Sequence, residues 1–499
     1  MNAQYFVNLG CESKIQNKGQ IMQGYDNLIP VESDVNQFLS KERGLLDTEI
    51  ADLFTEFKLA NLLRACNIKK RCGHSVPRIV YDLFFIPFLL LSNVYLFVHT
   101  QYEKAASVKN RYYRLLENAK FNWRLFVMKI SKKVHQNINS SIPEKDLFYV
   151  LDDTITEISG KLVEGVSYIH DHVSGKSVLG FQKLVLGIFN GSQFIPVSQR
   201  FCSSKKRPQA KSKSVKYKKI PKIERIASDS PGAIEREQLQ NTKLKKAIGQ
   251  LKEAKSKGIK AKTVLFDSWF CFNSFIIQIV EQLKLDVICQ LKNLPRVNKY
   301  IYKGKRYSLK ELFCYFGHIK LRTIKKNEFK QSQLTVCLPD SAVKMKIVFV
   351  QNNGSDKWYA FASTNTALSS QKVLEYYSQR WSIEVFFKNC KQYLNYGKEQ
   401  MSNLDSIIAC DALVFMRYIF LSYLAFKENV TFYEKFSSLY KSQTTKTFGI
   451  ELLKFFFNRL QYMVKQIRNL LESGLEEQAI VILDAISQLP ENHTELCLE

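Results

Sequence analysis

Acidic residues are scarce in this chain. Its 499 residues hold 46 Asp and Glu against 73 Lys and Arg, a formal net charge of +27 with a pI near 9.5. An excess of that size points to a polyanionic partner, nucleic acid or an anionic membrane surface; a small acidic metabolite does not call for it. Paired cysteines are missing too: the 11 cysteines are odd in number, run from Cys11 to Cys497 and never fall as C-x-x-C. That argues against a disulfide framework and a zinc ribbon and fits reduced thiols, either in a bacterial cytoplasm beside the nucleoid or in a eukaryotic nucleus. Met1 to Gly10 has neither the cationic head nor the apolar run of a signal peptide, so export is not expected. Internal repeats and Ser or Cys nucleophile motifs are absent. Long apolar runs are absent as well. The nearest approach, Leu83 to Val98, would rise about 24 Å as a helix against a hydrocarbon core of about 30 Å, and Pro87, Ser92 and Asn93 interrupt it. A buried helix is expected there, and no membrane partner.

What remains is 45% hydrophobic, enough for roughly three cores at about 150 residues each. From about Val31 to Val134 the pattern is helical, with Asp34 as a cap and one long basic and aromatic helix from about Glu103 to Lys133. That helix carries Arg111, Tyr112, Arg114, Trp123 and Arg124, cations interleaved with stacking groups, as on a surface meeting phosphates. After Pro143 the period turns strand-like. Leu147 to Leu151 is an apolar run without alternation, the signature of a strand buried on both faces, and it ends in Asp152-Asp153-Thr154. Phe181 to Phe189 and Gln193 to Val197 flank Asn190-Gly191, a hairpin signal, with Pro196 placing the second strand at an edge.

Ser203 to Pro221 carries Lys205, Lys206, Arg207, Lys211, Lys213, Lys216, Lys218 and Lys219 and no acid, with Arg200 just before it. Such a segment can track a nucleic-acid backbone by counterion release. A helix from about Ala233 to Lys257 leads into the buried strand Thr263 to Phe266, which again ends in an acid, Asp267. Short strands follow at Asp286 to Leu291 and between Lys299 and Ala362, and Ser369 to Tyr396 reads as one strong helix. Cys66, Cys72 and His74 have no obvious fourth metal ligand, and His170-Asp171-His172 alternates between strand faces, so structural roles are expected for both groups.

Two acids at the ends of buried strands sit where a parallel sheet exposes chemistry, although Asp also favours turns. The helix around Glu384 tips the balance. At about 100° per residue from Tyr377, the residues Arg380, Glu384, Lys388 and Lys391 fall near −60°, −20°, +20° and −40° on one face. Ile383, Phe386, Phe387, Cys390 and Leu394 fall opposite. One carboxylate among cations suits a metal beside phosphate groups, while the plain alternative is an exposed ladder of ion pairs.

Tyr377-x2-Arg380-x3-Glu384-x6-Lys391 resembles the Y-R-E-K signature of insertion-sequence DDE transposases. The order of the other acids is similar to that family's: a first strand ending in Asp, a later strand ending in Asp267, and a strand-rich insertion before the Glu helix. The resemblance covers about Leu147 to Gln400. It implies an α/β fold, a ribonuclease H-like mixed sheet with helices on both faces and a β-rich insertion, beside an all-helical N-terminal domain and a helical C-terminus. The expected divisions are 1–143 for DNA binding, 144–293 and 366–424 for the catalytic domain, 294–365 for the insertion and 425–499 for a helical region supporting dimerisation. It also implies that Asp153, Asp267 and Glu384 are the catalytic, metal-binding carboxylates. Asp153 is selected because the family's first acid precedes Thr, with Asp152 as the alternative. Two Mg²⁺ ions about 3.5–4 Å apart, with Mn²⁺ as substitute, would serve an in-line displacement at phosphorus. Tyr377, Arg380, Lys388 and Lys391 would meet transposon-end phosphates. The partners implied are double-stranded DNA and a second copy of the chain. A metal-dependent nuclease on the same fold and a transposase-derived protein that binds DNA without cutting it are the rival readings.

Overall fold

The computed structural model describes residues 48–71, 73–89, 91, 93–100, 109–160, 162–171, 174–204, 228–239, 241–323, 329–475 and 481. The Asp34 cap, Cys72, His172 and the basic run from Lys205 to Lys219 lie outside them. The strands are β1 (Phe148–Glu157), β2 (Ser167–Asp171), β3 (Lys176–Phe189), β4 (Phe194–Cys202), β5 (Thr263–Phe266), β6 (Asp286–Leu291), β7 (Tyr300–Tyr302), β8 (Lys305–Tyr307), β9 (Arg322–Thr323), β10 (Phe329–Cys337), β11 (Lys344–Asn352) and β12 (Trp358–Ser363). The helices are α1 (Thr48–Glu56), α2 (Leu59–Ala65), α3 (Val76–Phe85), α4 (Val94–Thr100), α5 (Lys109–Leu116), α6 (Trp123–Asn139), α7 (Pro231–Gln238), α8 (Lys243–Ser256), α9 (Asn273–Leu283), α10 (Leu309–Leu312), α11 (Ser370–Ser378), α12 (Trp381–Tyr393), α13 (Leu404–Glu428) and α14 (Phe432–Glu472).

The apolar run ending at Leu151 is the first half of β1, and Tyr149, Val150 and Leu151 are fully buried. Burial on both faces needs a central strand, and β1 is one: β3 pairs with it antiparallel on one side and β5 parallel on the other. The 12 strands form one mixed sheet in the order β2-β3-β1-β5-β6-β12-β11-β10-β7-β8, with β4 on β3 and β9 on β10. The fold is therefore mixed α/β. β4 ends the sheet beyond β3, as Pro196 requires, yet every one of its residues is buried. Helices cover that edge; Ser131 of α6 donates to the carbonyl of Pro196 at 2.6 Å.

Three long helices expected from the sequence are each broken. The basic and aromatic helix is α5 and α6, separated where Asn122 caps α6 by accepting from Leu125 N at 2.9 Å. The helix before β5 is α7 and α8, with Thr242 capping the second. The helix carrying Glu384 is α11 and α12, parted at Gln379 and Arg380. Capping side chains next to basic runs mark the first two breaks; periodicity alone passes over them.

The membrane-like stretch is the end of α3, a 3₁₀ turn (Ile86–Leu89) and α4, with Leu83, Phe84, Phe88 and Phe97 buried. Among the described residues the helix long and apolar enough to span a membrane is instead α13, and 94% of its most apolar window is buried within the fold. Asp405, Asp411 and Arg417 interrupt its composition and are answered from elsewhere. Arg236 pairs with Asp405 at 2.7 Å, Lys183 with Asp411 at 2.9 Å, and Arg417 donates to the carbonyls of Leu83 and Phe84.

The described strands all lie in one compact unit, Asp52–Leu439; the described residues outside it are the first turn of α1, the part of α14 from Tyr440 on and the few residues after it.

Candidate active site

The parallel ladder between β1 and β5 ends at the pair Leu151 and Phe266. The next residue on each strand is an acid, so Asp152 and Asp267 leave the ladder side by side. β1 continues against β3, with Asp152 opposite Val185. β5 stops, because Asp267 caps the turn that follows and accepts from Trp269 N at 3.0 Å. The turn-forming use of this aspartate and its place beside Asp152 are thus one feature. The ladder from β5 to β6 ends at Cys289, which puts Gln290 at the same level.

Successive strand residues face opposite sides of a sheet, and this separates the two adjacent aspartates. Asp152 accepts from Arg380 Nη1 at 2.9 Å, and Arg380 Nη2 donates to Glu384 Oε1 at 2.6 Å. Asp153 faces the other way, to Lys243 Nζ at 2.7 Å and Gln182 Nε2 at 2.5 Å. The Asp-Thr pattern singles out Asp153; the contacts group Asp152 with Glu384. Lys243, the first residue of α8, and Gln182 of β3 escaped the sequence reading. Strand alternation was the signal available for them, since it requires the two acids to have different surroundings.

Burial pushes the Asp152 carboxyl up to about 7, helped by the negative charge of Asp267 and then of Asp153 and opposed by Arg380. Burial raises Asp267 as well, with Asp153 adding to it and the Trp269 N–H, Arg380 and Lys243 working against it. Burial weakens the charge of Arg380, yet Tyr377, Asp152 and Glu384 together hold its guanidinium above the ordinary arginine range. Its Nε is buried without a hydrogen-bond partner among the described residues. Asp152 and Asp267 are therefore poorly solvated, and one guanidinium links Asp152 to the more exposed Glu384.

The break between α11 and α12 changes the expected cationic face. Tyr377 lies in α11, its hydroxyl donates to Gln290 Oε1 at 3.2 Å, and its ring packs on Phe361. Arg380 is the N-cap of α12 and Glu384 lies in its first turn. Lys391 does not join the solvent-facing set: it donates to the Ile155 carbonyl at 3.2 Å, and burial, with Lys183 nearby, lowers its pKa. It ties α12 to β1. Lys388 is exposed. On the other side of α12, Ile383, Phe386, Phe387 and Cys390 are buried as the sequence pattern requires. Of the helical cations proposed for DNA, Arg111 and Arg114 are exposed on α5. Arg124 is paired with Glu235 and 19% exposed, which removes it from the solvent-facing cations.

Among the described residues no three His, Cys, Asp or Glu side chains converge closely enough to form a metal group. The donor chemistry nevertheless fits a hard divalent cation. Asp267 raises the cost of ionising Asp152, Glu384 is one guanidinium away, and Arg380 is the cation now bridging Asp152 and Glu384.

Two family models match the chain. One, described as a DDE superfamily endonuclease, matches residues 101–297; the other, described as a transposase DDE domain, matches residues 239–420. Asp152 and Asp153 fall in the first range, Glu384 in the second and Asp267 in both. None of the curated proteins compared matches the chain. The matches support a DDE-superfamily transposase or endonuclease.

Proposed function

We propose, with a DDE-superfamily transposase or endonuclease as the premise, that this chain cuts and joins DNA strands by metal-dependent in-line phosphoryl transfer. Asp152, Asp267 and Glu384 are the carboxylates in this reading, with Asp152 in place of Asp153. The observation that carries it is the exit of Asp152 and Asp267 side by side from the ladder, with Arg380 linking Asp152 to Glu384. A bound divalent metal, Mg²⁺ or Mn²⁺, supplies Lewis acidity at phosphorus and an activated water or 3′-hydroxyl. The protein's own part is to hold Asp152 and Asp267 away from water with the more exposed Glu384 beside them, and to present cations to the phosphate. Arg380, with Nε unpaired, has capacity for an incoming phosphate oxygen, and exposed Lys388 lies about two turns further along α12. Tyr377 and Gln290 brace that guanidinium from α11 and β6. Asp153, neutralised by Lys243, supports β1 and is not a ligand.

The same reading takes 144–293 and 366–424 as a ribonuclease H-like core, 294–365 as its insertion, and transposon terminal repeats as the substrate, handled by two copies of the chain. Location follows the DNA, cytoplasmic in a bacterium and nuclear in a eukaryote. The test is nicking and strand transfer on duplex DNA carrying the flanking inverted repeats, with and without Mg²⁺. Asp152→Asn, Asp267→Asn and Glu384→Gln should each lower the rate by about 10³-fold or more while DNA binding persists. Asp153→Asn should keep cleavage within about tenfold of wild type. The reverse ranking of Asp152 and Asp153 would return the ligand role to Asp153. Binding without cleavage in the wild type would favour a transposase-derived DNA-binding protein.

A further inference from the structure

A second charged concavity lies in the same compact unit and shares no residue with the acid cluster. It encloses roughly 190 Å³ between α6 and the end of α8, and its lining is Ala65, Leu125, Met128, Lys129, Lys132 and Lys257. Three lysines therefore converge on one hollow whose remaining walls are apolar and which no acid lines. Their ammonium groups make no hydrogen bond or ion pair among the described residues. The approach is close: a Cβ placed on Gly258, the residue after Lys257, would lie 3.6 Å from Lys132 Nζ. Like charges gathered against apolar walls repel, and among the described residues no acid pairs with them.

The surroundings extend the same charge. The loop after α2 is tied to the start of α6, with Asn122 N donating to the Cys66 carbonyl at 3.0 Å and Asn67 Nδ2 to the Lys120 carbonyl at 3.0 Å. That tie holds the end of α2, whose Ala65 lines the hollow, and the loop after it, with exposed Arg64, Lys69, Lys70 and Arg71, against the start of α6. A hollow of three uncompensated ammonium groups beside a basic loop recognises phosphate oxygens: each Nζ donates up to three hydrogen bonds and accepts none. A run of further cations on one side suits a polymer of phosphates better than a single anion.

We infer that Lys129, Lys132 and Lys257 form a phosphate-binding pocket on the path of duplex DNA, apart from the acids that cut it. This rests on the DNA reading proposed above, and it identifies a place where the duplex is held by its backbone, without base readout. The experiment compares full-length wild type with the Lys129→Gln, Lys132→Gln, Lys257→Gln triple variant, measuring affinity for one duplex over a range of salt. Each phosphate contact contributes roughly 0.9 to the slope of log K against log salt, so the triple variant should lose about 2–3 units of slope. The triple Lys→Arg variant should recover it. Lys257→Gln alone, at an exposed helix end, should lower the slope by about 0.9 even where the triple variant does not fold. An unchanged slope in the folded triple variant, or a loss that arginine does not restore, overturns the pocket. Wild-type protein that nicks DNA while the variants keep its slope refutes the pocket alone. Wild-type protein that neither binds in a salt-dependent way nor nicks refutes the parent reading too.

Discussion

Asp152 is expected to weaken the fold at neutral pH when no metal is bound. Its carboxyl is raised from an ordinary value of 3.8 to about 7 by burial and by Asp267. The sign follows from proton linkage: a raised acid binds its proton more tightly in the folded state, so the fold is favoured at low pH and loses that advantage as pH climbs from about 4 through 7. A shift of this size corresponds to roughly 4 kcal/mol, from which the lost contact to Arg380 must be set off when the residue is replaced. In the presence of a chelator, Asp152→Asn should therefore melt above wild type at pH 8 and close to it near pH 4, with the gap opening between. Parallel melting curves across that range would show that Asp152 is not desolvated as described. The observation also explains why one guanidinium serves two acids. With Arg380 on Asp152 and Glu384, part of the repulsion a metal ion would relieve is already offset.

At the scale of elements, α13 and β3 are joined by charge inside an apolar interior. Lys183 is fully buried and reaches Asp411 at 2.9 Å and Glu399 at 3.0 Å, while Gln199 donates to Asp411 at 2.6 Å. A buried ion pair adds little against a hydrophobic replacement of both partners, but removal of one partner leaves an uncompensated charge. Lys183→Met should accordingly cost about 3–5 kcal/mol, read as a lower urea midpoint at unchanged slope, and Lys183→Met with Asp411→Leu should recover part of it. A loss under about 1 kcal/mol would mean that water reaches this network. The same interior explains α11 and α12. Neither Gly nor Pro breaks the chain there; Arg380 is held by Asp152 and Tyr377 by Gln290, and two anchors on different strands are satisfied by two shorter helices.

For the whole molecule the governing quantity is the charge of +27. It does not determine a fold; in the function proposed above it governs how the protein meets DNA. The basic run from Lys205 to Lys219 adds eight cations with no acid among them. Neutralising Lys205, Lys206, Lys211 and Lys213 should lower the salt slope of DNA binding by about 3–4 units if each lysine meets a phosphate. An unchanged slope would assign the run to solubility or targeting. This loss should add to that of the Lys129, Lys132 and Lys257 pocket, because the two sets share no residue.

The local code was legible wherever a period or a turn is written in adjacent residues. The buried run into Asp152, the strand Thr263–Phe266 before Asp267, the Asn190-Gly191 hairpin, the strand Asp286–Leu291 and the buried side of α12 all follow from short patterns. Candidate acids were legible for the same reason, since an acid ending an apolar strand stands out from its neighbours. What the sequence alone could not decide is which neighbour arrives from more than 100 residues away. Asp152 and Asp153 are chemically identical and adjacent; only the register of β1 against β5, with Arg380 on one face and Lys243 on the other, separates them. Arg124 reads as a phosphate ligand until Glu235 is brought to it, and α13 reads as interrupted by charge until Arg236 and Lys183 are. Local sequence sets the period of an element, whereas a charge is interpreted by its partner, and partners are assigned by packing.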